Sequence, residues 1–167
     1  MSWSKCFALT VAILFIFGIA MIDCAVAGEK IKWHGMTDTV ETKQIEVGDM
    51  EGHIMLVTKS KQLYFNDAKH DERWVGDSVS TMDINPKMKQ MSLTGSGWIV
   101  DPDGSKAMRT HEGKAVGEGH WKGTWKFVKG TGKYEGVTGG GTWEMFSVAE
   151  GQPAYLEILG EWEYPKQ

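Results

Sequence analysis

Apolar and polar residues alternate with a period of two along the C-terminal half of the chain. Over Gly117–Val128 the odd positions include Trp121, Gly123, Trp125 and Phe127, while the even positions include Glu118, His120, Lys122, Thr124 and Lys126. Over Tyr155–Tyr164 the even positions Leu156, Ile158, Gly160, Trp162 and Tyr164 oppose Glu157, Glu161 and Glu163. Successive side chains of an extended chain point to opposite faces, so each segment predicts a strand with one buried and one wetted face. Gly139–Val148 is less regular: Trp143 and Met145 share one face, Glu144 and Phe146 the other. No stretch of helical length places apolar residues cleanly at i, i+3, i+4 and i+7. The pattern predicts strands over 31–42, 52–59, 61–66, 78–85, 89–100, 105–116, 117–128, 139–148 and 155–164, with mergers leaving about eight. The polar stretch 66–77 reads as a surface loop or short helical turn. Asp101-Pro102-Asp103-Gly104 reads as a hairpin turn, because proline presets φ, aspartate bonds back to the backbone and glycine takes positive φ.

Glycine recurs beside tryptophan: Gly97-Trp98, Gly141-Thr142-Trp143, Gly160-Glu161-Trp162. Glycine inside a strand costs stability unless it lets the sheet bend or makes room for a large neighbour. A closed barrel needs both. The expected fold is therefore all-β, a closed antiparallel barrel of about eight strands with a calycin-like form. An open sandwich is the competing arrangement.

The ends and the composition narrow the setting. Lys5, the apolar run Cys6–Ile22 and the small-residue site Ala25-Val26-Ala27 read as a secretory leader over residues 1–27. A retained membrane anchor is the rival reading. The remaining residues 28–167 suit one barrel domain with its own core. Both cysteines, Cys6 and Cys24, fall in the leader, so after cleavage thiol chemistry and disulfides are excluded. The protein is expected to be exported, periplasmic or secreted, with no membrane association after cleavage. The net charge of −4 has both signs interspersed and forms no basic stripe, which argues against a nucleic-acid partner.

The segment Gly130-Thr131-Gly132-Lys133-Tyr134-Glu135-Gly136-Val137-Thr138-Gly139 follows one aromatic-rich strand and precedes another. It resembles the turn-and-strand signature of the allene oxide cyclase-like and dirigent-like barrel superfamily. The resemblance implies an eight-stranded antiparallel barrel, often oligomeric, with a central apolar cavity. Physically, Gly130 and Gly132 suit a compact reversal with positive φ, Tyr134 can plug a barrel end, and Gly136 and Gly139 allow close backbone approach. No catalytic acid or proton-handling residue of that superfamily can be matched to a position here. The Gly-x-Trp triplets bear a weaker similarity to lipocalins, but they sit late in the chain and read as separate packing solutions.

Candidate chemistry is sparse. His111-Glu112 and Glu118-x-His120 form the densest titratable cluster, suited to zinc binding or proton transfer. Adjacent strand residues face opposite ways, so His111 and Glu112 cannot share a site without a bulge. The alternative is a set of surface charges. Arg109 shares a face with Ala107 and His111; inside a barrel it can orient a carboxylate through paired hydrogen bonds, and outside it is an ordinary exposed arginine. Arg109, His111 and Glu112 are thus the catalytic candidates. Trp98, Trp121, Trp125, Trp143 and Trp162 are the candidate ligand wall or, equally, a packed core. Motifs for a nucleophile elbow, a zinc helix or a phosphate loop are missing, and no cofactor or metal is expected.

Three functions fit this reading. The first is an exported barrel that binds a small apolar or aromatic ligand. The second is a cyclase- or isomerase-type enzyme that holds a reactive substrate in one conformation. The third is a structural or homo-oligomerising module that uses exterior residues such as Phe146.

Overall fold

The computed structural model describes residues 28–69, 72–88, 91–149 and 151–164, so the expected leader over 1–27 lies outside the described residues. The strands are β1 (Glu29–Glu46), β2 (Ile54–Asn66), β3 (Arg73–Ile84), β4 (Ser92–Val100), β5 (Lys106–Gly117), β6 (His120–Thr131), β7 (Thr138–Phe146) and β8 (Ala154–Glu163). Each pairs antiparallel with its chain neighbour. β8 closes onto β1, from Glu29 opposite Trp162 to Thr37 opposite Ala154, and completes an eight-stranded barrel. Closure satisfies the backbone groups along this seam and removes the edges of an open sheet.

Several boundaries differ from expectation, among them β1, which runs on to Glu46, and two differences change the reading. The runs 52–59 and 61–66 are one strand, β2. β3 begins at Arg73, inside the stretch 66–77 read as a loop. There Trp74 and Gly76 point inward while Arg73, Val75 and Asp77 point outward, so the polar residues were the wet face of a strand. The reversal lies just before it, where the Ala68 amide donates to Asn66 Oδ1 at 2.9 Å. The other turns follow their residues. Gly104 has φ +87°, and its amide donates to the Asp101 carbonyl at 2.8 Å. Gly132 opens the 3-10 turn Gly132–Tyr134 with φ +61°. β1 carries a bulge between Thr39 and Glu41, and past Thr37 it pairs with β2 alone, so this hairpin extends beyond the β1–β8 seam.

The interior has two zones. At the end bearing the β4–β5 and β6–β7 turns it is packed with rings. Trp33 lies 4.7 Å from Trp74 and 5.3 Å from Trp162, Phe127 lies 5.9 Å from Trp162, and Trp125 meets Phe127 edge-on at 5.0 Å. Tyr134, 1% exposed, closes this end. Its hydroxyl donates to Asp101 Oδ2 at 2.8 Å and accepts from Trp74 Nε1 at 3.2 Å. Burial pushes the Asp101 carboxyl up, yet the Lys133, Tyr134 and Trp74 donors outweigh it and hold the group below the usual carboxylate range. Toward the other end the rings thin out and the interior opens.

Candidate functional site

The open zone is a cavity of about 760 Å³. Its mouth lies among the β5–β6 and β7–β8 turns, at Glu118, Gly119 and Ser147–Ala149. Two chemically different walls face each other. β2 and β3 contribute hydroxyls: Thr58, Ser60, Ser78 and Ser80. β6, β7 and β8 contribute Trp121, Trp143, Met145, Leu156 and Ile158. The split follows from sequence, since the inward set on β3 reads Trp-Gly-Ser-Ser-Met and that on β8 reads Ala-Leu-Ile-Gly-Trp.

Glycines create the space in which the indole of Trp143 lies. A Cβ on Gly113 would sit 2.4 Å from Trp143 Cζ2, and one on Gly123 would sit 2.6 Å from the same ring and 1.9 Å from the Glu112 carbonyl oxygen. Both positions therefore require glycine if the ring is to lie against the wall of β5 and β6. Trp143 Nε1 donates to the Thr124 carbonyl at 3.0 Å, which satisfies its polar edge.

Arg109 sits where the cavity meets the ring-packed zone. It points inward from β5 and is 5% exposed. Its Nη2 donates to Gln62 Oε1 at 2.8 Å and to the Tyr64 hydroxyl, which in turn donates to Gln62 Oε1 at 2.6 Å. The guanidinium carbon lies 5.1 Å from the Tyr64 ring centroid. Tyr64 is fully enclosed, and burial raises its hydroxyl pKa against the opposing pull of Arg109. Two residues nearer the mouth, His111 Nε2 hydrogen-bonds Ser80 Oγ at 2.9 Å. Burial, assisted by the Arg109 charge, pushes the imidazole from an ordinary 6.5 down to about 4. His111 is therefore neutral at neutral pH. Arg109 Nε and His111 Nδ1 are enclosed without a hydrogen-bond partner among the described residues.

The candidates named from sequence separate cleanly. Arg109 and His111 are together inside, whereas Glu112 is exposed on the outer face and accepts from Thr124 Oγ1 at 3.4 Å. His120 also faces outward, 3.0 Å from Glu144 and stacked on Phe146 with ring centroids 4.4 Å apart. Trp121 and Trp143 line the cavity. Trp125 and Trp162 belong to the packed end. Trp98 is on the outside: β4 buries Leu93, Gly97 and Ile99, and strict alternation turns Trp98 away from the ligand wall expected of it. Sequence reasoning missed Trp33, Trp74 and Tyr64 as interior residues. For Trp33 a signal existed, because Ile31, Trp33, Gly35 and Thr37 alternate with Lys30, Lys32 and His34. Among the described residues no group of three or more His, Cys, Asp or Glu is placed to hold a metal ion.

No protein-family model and no curated protein matches the sequence. The fold is similar to that of solved dirigent proteins. The structure of the pterocarpan synthase dirigent protein GePTS1 superposes with a TM-score of 0.51 over 87% of this chain and 96% of that one, at 13% identity. That of the pterocarpan synthase dirigent protein PsPTS1 gives 0.48 over 83% and 96%, at 15% identity. At such identity the likeness establishes a dirigent-like barrel fold, in agreement with the resemblance seen in the Gly130–Gly139 segment.

Proposed function

We propose that this barrel is an exported carrier or receptor that holds a small, largely apolar or aromatic molecule in its open half. The observation that carries this reading is the asymmetry of the interior. One end is filled with rings in mutual contact, while the other keeps a cavity of about 760 Å³ beside Trp121, Trp143, Leu156 and Ile158. That volume falls in the range of roughly 300–1,000 Å³ usual for small-molecule sites, which are mostly apolar with a few placed polar groups. Glycines at 113 and 123 hold Trp143 flat against the wall, which favours a preformed pocket over a collapsed core. Support for export comes from the apolar run Cys6–Ile22 followed by Ala25-Val26-Ala27.

Calorimetric titration with naphthalene derivatives and medium-chain lipids tests the reading. Binding to the wild type is expected, with affinity lowered roughly tenfold by Trp143→Ala, which strips apolar contact from the wall. Trp98→Ala should leave affinity unchanged, since that ring faces outward. Failure of every compound to bind would remove the basis of the proposal. A second reading, a cyclase- or isomerase-type catalyst, draws on one observation, the presence of Arg109 and His111 within the same cavity. A confining pocket with a cation and a neutral imidazole can stabilise developing negative charge.

A further inference from the structure

Arg109 is a buried cation whose partners are all neutral. Both of its hydrogen bonds come from one nitrogen, Nη2, and end on the Gln62 amide oxygen and the Tyr64 hydroxyl. Among the described residues no carboxylate lies within ion-pair distance of it. The partly buried carboxylate of Asp101, by contrast, does find a counterion: Lys133 Nζ lies 2.6 Å from its Oδ2. A desolvated charge without a counterion is costly, and folds tolerate it where a ligand supplies the missing partner. Among the described residues Arg109 Nε is enclosed without a bond, and Nη1 makes no hydrogen bond to the protein. Because Arg109 lines the cavity, Nη1 is the donor left for a bound molecule.

We infer that the cavity selects an anionic ligand, with a carboxylate seated on Arg109 at the floor and an apolar or aromatic body lying along Trp121 and Trp143. This rests on the reading of the cavity as a ligand site and narrows it to a chemical class. The guanidinium is planar and matches a carboxylate better than it matches a neutral acceptor. Ser78 on β3, level with Arg109 across Gly97 of β4, can bond the oxygen that Arg109 leaves free, and Ser80 stands beside it, bonded to His111. The rim carboxylates Asp38 and Glu118 are exposed, so water and salt screen their repulsion of an entering anion, while the floor cation acts in a low-dielectric enclosure.

The test uses matched pairs that differ only in the head group: a naphthoate against the corresponding acetylnaphthalene, and decanoate against decanol. Each is titrated calorimetrically into the wild type, Arg109→Gln and Arg109→Lys. In the wild type the carboxylate of whichever body binds should bind roughly ten- to a hundredfold tighter than its neutral counterpart, the range of a charge-assisted hydrogen bond. Arg109→Gln should abolish that difference, and a cooperative urea transition of the variant reports that it is folded. Arg109→Lys should retain part of the preference. Equal affinities within each wild-type pair, or a carboxylate preference that survives Arg109→Gln, would overturn the inference and leave the cavity reading intact. If none of the four compounds binds the wild type, both fall together.

Discussion

Replacing His111 with glutamine should flatten the acid sensitivity of folding. In the native protein the imidazole is half-enclosed, bonded through Nε2 to Ser80 and 6.4 Å from the Trp143 ring. Burial first, and the Arg109 charge second, lower its pKa from 6.5 to about 4. Asp38 and Glu118 line the same cavity at its exposed rim. Between those two pH values the unfolded chain holds a proton that the folded chain refuses. Stability is therefore full above the unfolded value and falls as the pH drops toward the folded one. With about 1.36 kcal/mol per pH unit of mismatch, the loss is about 2 kcal/mol by about pH 5 and about 3 kcal/mol by about pH 4. Other groups titrate nearby. Asp67 and Glu144 have lowered pKa values through hydrogen bonds to His34 and to Lys122, and their contribution is lost only at lower pH, as they protonate. His53, raised by Asp49 and Asp83, works in the opposite sense and favours the folded state in acid. These terms cancel when the variant is subtracted from the wild type. Urea denaturation at about pH 7.5 and about pH 5 should show the wild type losing about 2 kcal/mol more than His111→Gln. Parallel losses would refute the claim that His111 is buried beside a cation.

The packing account makes further predictions. Gly123→Ala should destabilise by about 2 kcal/mol or more, because the added Cβ meets the Glu112 carbonyl and the Trp143 ring and the core cannot absorb it; a urea midpoint lower by that amount, with unchanged m-value, is the readout. Tyr134→Phe should cost about 1–2 kcal/mol, since it removes the hydroxyl shared between Asp101 and Trp74; thermal melts of the two proteins check this. Gly132→Ala should destabilise through both its φ of +61° and the 2.4 Å approach of a Cβ to Ser105 Oγ, and the same melts would report it.

Much of the barrel was legible because a half-buried strand announces itself by alternation. β6 and β8 could be assigned to faces residue by residue, and the glycines beside the tryptophans pointed to closure. Where alternation was ignored the reading failed. Gly97-Trp98 looks like the other glycine–tryptophan pairs, yet Leu93, Gly97 and Ile99 fix the parity of β4 and send Trp98 outward. β3 was shortened because Arg73 and Asp77, its outward residues, made a strand look like a loop. On β5 neither face is apolar, so hydrophobicity could not say which way Arg109 and His111 point; the register does, placing Arg109 opposite Phe127 and His111 opposite Trp125. The division of the interior into a filled and an open half was not legible at all. It depends on which inward residues of eight strands fall at the same height, and that is set by the stagger of the barrel rather than by any one segment.

The central claim is that Arg109 marks the floor of a ligand cavity. A crystal structure of the protein soaked with a bromonaphthoate, with the bromine located by its anomalous signal, tests it most directly. The account predicts a bromine peak between Trp121 and Trp143 and a carboxylate within hydrogen-bonding distance of Arg109. A peak confined to the outer face around Trp98, or at the ring-packed end near Tyr134, would contradict it.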